Sequence, residues 1–144
     1  MQRNRYALLT IGAVLLAVVM AGCPSATTQQ KAALAAQNAS TIVVAFQKSE
    51  ISSFQAGLVP AADHQFIEAQ LVTVGQLGLT LDSCIRTATT SAGTVACVNT
   101  ATATINQINT DGGLYIKSAG AKQDFQLAMT SLNAALAVLT TVIQ

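Results

Sequence analysis

Charge is what this chain has least of. Seven Lys and Arg and six Asp and Glu are spread over 144 residues, and the basic ones form no patch or run. A nucleic-acid partner needs clustered cations to neutralise phosphates, so that class of partner is excluded. Chemistry-bearing groups are equally sparse. His64 is the only histidine, and no serine sits in the Gly-x-Ser-x-Gly turn of a nucleophile elbow. Cys84 and Cys97 lack the Cys-x-x-Cys spacing of a redox catalyst, and no second Cys or His pair stands near enough for a zinc site. No enzyme, metal or cofactor is therefore expected. Thr, Ser, Gln and Asn fill the polar positions instead, giving a surface that is soluble through neutral groups and exerts little long-range steering.

What is present begins at the N-terminus. Arg3 and Arg5 precede an apolar run from Ala7 to Ala21, interrupted only by Thr10 and Gly12, and the run ends at Met20-Ala21-Gly22-Cys23. A cationic start, a short apolar stretch and small residues before a cut are the marks of a secretory signal. A membrane-spanning helix needs ~20 apolar residues, more than this run supplies. The junction resembles the lipobox of bacterial lipoproteins. Ala21, Gly22 and Cys23 match it, and Met20 stands where Leu is most usual. The resemblance implies cleavage before Cys23 and acylation of that cysteine, with 1–22 as signal peptide and 23–144 as the mature domain. It also implies an exported protein, held by lipid in the bacterial envelope. Pro24 replaces the aspartate associated with inner-membrane retention, which favours the outer membrane or its periplasmic face. An ordinary secretory signal cut after Ala21 or Gly22 is the alternative.

Loss of the first 22 residues removes Arg3 and Arg5. Five basic residues (Lys31, Lys48, Arg86, Lys117, Lys122) then face six acidic ones, a net side-chain charge of −1. The length that remains suits one domain with a real core. The cysteine count fits the same compartment, because acylation of Cys23 leaves Cys84 and Cys97 as a pair. An oxidising envelope favours their joining, with free buried thiols as the alternative.

Downstream the pattern is helical. Thr27 with Gln30 fits a capping box, and Ala35, Ala39, Ile42, Val43, Phe46 and Phe54 recur at helical spacing before Gly57 and Pro60 close the segment. A first helix is expected over 27–56. Pro60 suits the first turn of a second helix, with Asp63 and Glu68 near its positive end. Ile67, Leu71, Val74, Gly78, Leu81 and Ile85 then draw one stripe. Gly75 and Gly78 within it are expected to mark the close approach of a neighbouring helix, with a hinge as the alternative. Residues 89–93 read as a turn, and a third helix is expected over about 94–109, ended by Asp111-Gly112-Gly113. A fourth begins between Leu114 and Ala119 and runs nearly to Gln144, with Phe125, Ala128, Met129, Leu132, Leu136 and Leu139 on its apolar face. The expected fold is all-α, an up-down bundle of about four helices.

His64 and Glu68 lie one turn apart and are read as a surface or capping pair rather than metal ligands. Tyr115, beside a loop, covers the end of the core or anchors a partner. The function expected from these features is that of a lipid-anchored envelope protein with a structural or protein-interaction role. A carrier for a small apolar ligand, with Gly75 and Gly78 loosening the second helix, is the rival expectation.

Overall fold

The computed structural model describes residues 28–143. The signal segment, Cys23 and the Thr27 capping box lie outside the described residues. Four helices follow one another: α1 (Thr28–Gln55), α2 (Ala61–Thr87), α3 (Ser91–Tyr115) and α4 (Ala119–Ile143). Each packs on two neighbours, α1 on α2, α2 on α3, α3 on α4 and α4 back on α1. Short connections at 56–60, 88–90 and 116–118 force consecutive helices antiparallel. The chain is an up-down four-helix bundle, as expected. No described helix is long and apolar enough to cross a membrane.

The helix ends follow local chemistry. Gly57 takes φ +71°, which glycine adopts without steric cost. Its N–H donates to the Phe54 carbonyl and the Leu58 N–H to the Ser53 carbonyl, closing α1 with two of its orphan carbonyls satisfied. Thr90 starts α3 by accepting the Gly93 N–H at 3.1 Å. Ser118 does the same for α4, accepting from the Ala121 N–H. The many threonines sit inside helices because their hydroxyls donate back to carbonyls one turn earlier, as Thr100, Thr102 and Thr104 do to Ala96, Val98 and Thr100.

The core is built around Phe125, which is fully buried with Ile67, Val98, Ile116, Met129 and Leu139. Phe46 meets the Phe125 ring edge-on at a centroid distance of 6.0 Å, and Phe66 lies 6.4 Å away. Two expectations about glycine need correction here. Asp111-Gly112-Gly113 does not end α3, which continues to Tyr115. Gly112 is buried inside the helix, and a Cβ there would run into the Phe125 ring. The third helix is therefore longer at both ends than expected, because tertiary packing overrides a local propensity cost of about 1 kcal/mol per glycine. Conversely, Gly75 and Gly78 are exposed, and a Cβ at either would meet nothing within 4 Å. They mark no helix–helix contact.

Candidate functional site

The open space beside Gly75 and Gly78 belongs to a groove. It lies between α1 and α2 and encloses about 500 Å³, within the ~300–1,000 Å³ usual for small-molecule sites. Val43 of α1 and Val74, Leu77 and Leu81 of α2 form its walls. Ala101 and Ile105 of α3 and Leu132 and Leu136 of α4 also line it, and all four are core residues of the far side of the bundle. The groove therefore reaches from solvent to the bundle interior. The antiparallel pairing of α1 with α2 puts its polar lining, Gln37, Ser40, Asp82 and Arg86, toward one end. There the Arg86 Nε–H donates to Asp82 Oδ2 at 2.7 Å. This hydrogen bond, with the Asp82 charge, raises the pKa of the already charged Arg86 guanidinium.

That same end of the bundle carries the Cys84–Cys97 disulfide, with Cα atoms 5.9 Å apart, between the last turn of α2 and the second turn of α3. The expected pair is thus joined across the 88–90 turn. It clamps α2 to α3 behind the groove.

His64 departs from the expectation of a surface pair with Glu68. Its principal partner is Glu50 of α1, whose Oε1 and Oε2 lie 2.9 and 3.0 Å from His64 Nδ1. Glu50 is only 4% exposed. Phe54 stacks on the imidazole with centroids 3.9 Å apart and planes 7° from parallel, which fixes the ring. Glu68 stands beside this pair, its Oε1 shielded from solvent and without a hydrogen-bond partner. One signal for Glu50 was present in the sequence: four residues after Phe46 and four before Phe54, it occupies the core-facing register of α1.

Asp63 also differs from its reading as a simple helix-end charge. Its Oδ1 accepts the Lys117 N–H at 3.0 Å and its Oδ2 the Ser118 N–H at 2.7 Å, so the first turn of α2 holds the start of α4.

Fold and groove together define a class: an up-down four-helix bundle with an apolar groove open between two of its helices. The chain matches no family model, no curated protein and no solved structure.

Proposed function

We propose that this is a non-catalytic, lipid-anchored protein of the bacterial envelope that holds a single-chain amphiphile in the groove between α1 and α2. The observation that carries the reading is the pair of glycines. Gly75 and Gly78 each cost α2 about 1 kcal/mol against alanine, no neighbouring helix needs them small, and both line the groove. Their role is to leave the groove open. The apolar walls suit an acyl tail, and Gln37, Asp82 and Arg86 offer hydrogen bonds and charge to a headgroup at one end. That end adjoins the N-terminal turns of α1, which follow Cys23, so a lipidated Cys23 would place the polar end toward the membrane that supplies the ligand.

Native mass spectrometry of the protein extracted from its host membrane tests both parts. The expected spectrum begins at Cys23 with covalent acyl groups and carries a further, non-covalent amphiphile that leaves on activation. Gly78→Leu starts from a position where a Cβ meets nothing within 4 Å, places its side chain at the groove wall and relieves the glycine cost, so the variant is expected to lose the adduct while gaining about 1 kcal/mol of stability. An adduct retained at parental level would sink the groove reading, and a chain retaining residues 1–22 would sink the anchor.

A second reading, a protein-interaction role, draws on the opposite end of the bundle. Leu58, Leu114 and Tyr115 are each at least 60% exposed there, and amphipathic aromatics are favoured at interfaces. Photo-crosslinking from position 115 in intact cells is expected to trap one defined neighbour on this reading. A diffuse ladder of products would count against it.

A further inference from the structure

We propose that Glu50, His64 and Glu68 form a binding site for a divalent transition-metal ion, with zinc as the representative case. The ligand atoms that these residues offer, one from each, lie within 4.8 Å of one another. They come from two helices. Glu50 projects from the last turns of α1, and His64 and Glu68 stand one turn apart on α2.

Three observations separate this cluster from an ordinary surface group of charges. The Glu50 carboxylate is withdrawn from water, with His64 on one side of it. A buried carboxylate is costly unless paired, and a second carboxylate beside it raises that cost. Glu68 Oε1 is shielded and has no partner, so the site holds an acceptor that nothing within the protein satisfies. Finally, the imidazole is held flat by Phe54, which fixes a donor before any ion arrives, as a preorganised ligand site requires.

The donor set selects the ion. Two carboxylates balance a 2+ charge, and a neutral imidazole adds a borderline nitrogen, the combination that suits zinc and its first-row neighbours. Calcium asks for six to eight oxygens, and copper(I) for thiolates or thioethers. Cys84 and Cys97 are joined to each other and supply no thiolate. In the bound state the ion takes the position now closed by the hydrogen bond between Nδ1 and Glu50, and Glu68 Oε1 gains the partner it lacks. Three protein ligands leave a position for water or for a donor group brought by another molecule. Sequence alone sets His64 and Glu68 aside as metal ligands, because the third ligand, Glu50, belongs to a different helix.

The test uses zinc chloride and the untagged, disulfide-intact protein, followed by calorimetry and by NMR of the imidazole. Because His64 is the only histidine, one set of ring signals reports the site and is blind to zinc held elsewhere. The expected result is one zinc per chain with a displaced His64 ring spectrum. Glu68→Gln leaves the His64–Glu50 hydrogen bond in place and removes one ligand. It is expected to keep the metal-free melting temperature and to weaken zinc binding by at least about tenfold, since even outer-shell changes cost that much. Ring signals that do not move in saturating zinc, or equal affinity in parent and Glu68→Gln, would overturn the proposal. The parent NMR result stands alone if the variant fails to fold.

Discussion

Replacing Asp63 by alanine is expected to destabilise the bundle by about 3–6 kcal/mol, because hydrogen bonds to a charged acceptor contribute ~1.5–3 kcal/mol each and two are lost together. Asp63 is 2% exposed, and its oxygens accept from the backbone N–H groups of Lys117 and Ser118, more than fifty positions along the chain. The positive end of α2 lies behind the carboxylate and offsets the cost of burying it. Ser118 is also the residue that caps α4, so the loss reaches beyond two hydrogen bonds to the placement of a whole helix. Asp63→Asn keeps one acceptor and is expected to lose about half as much. Urea denaturation with an unchanged m-value measures both. A loss below about 1 kcal/mol for the alanine variant would mean that water replaces the carboxylate without penalty.

Gly112→Ala is expected to cost about 3 kcal/mol, although alanine is the better helix former by about 1 kcal/mol. The added methyl would collide with Cε1 and Cδ1 of Phe125. That ring is completely buried and wedged by Phe46 and Phe66, so it cannot swing aside cheaply. Gly75→Ala provides the internal contrast: the same substitution in open space on α2 should raise stability by about 1 kcal/mol. Opposite signs at the two positions are the expected pattern in thermal or urea unfolding. Phe125→Leu should recover part of the Gly112→Ala loss by vacating the contested volume. Matching signs at Gly75 and Gly112 would refute the contact.

These two glycines show where sequence was legible and where it was not. The helical stripes were readable because burial of one face imposes a period on the residues that form it, and Ile67, Leu71, Val74 and Ile85 kept that period through α2. The helix-ending turn at Gly57 was readable because its backbone conformation needs glycine. Sequence pattern makes Gly112 a breaker and Gly75 a contact, and the structure reverses both. A glycine in sequence reports a missing Cβ and says nothing of what stands opposite. The groove was hidden for the same reason, since it is defined by atoms that are absent from the α2 wall. Glu50 and His64 were out of reach as a pair because α1 and α2 meet there only after the 56–60 turn reverses the chain. Glu50 alone, polar at a core register, was the available clue.

The closed ring of four helices is not mechanically uniform. α2 and α3 are stitched covalently near one end, and α4 is fastened to α2 through Asp63 at the other. Neither of these two fastenings reaches α1. Tension applied at the N-terminal end of α1 would therefore load its packing against α2 and α4 first and peel α1 from the bundle turn by turn, toward the Glu50–His64 link. The remaining three helices would stay linked through that event, so the molecule has a defined load path in which one strap yields before the body does.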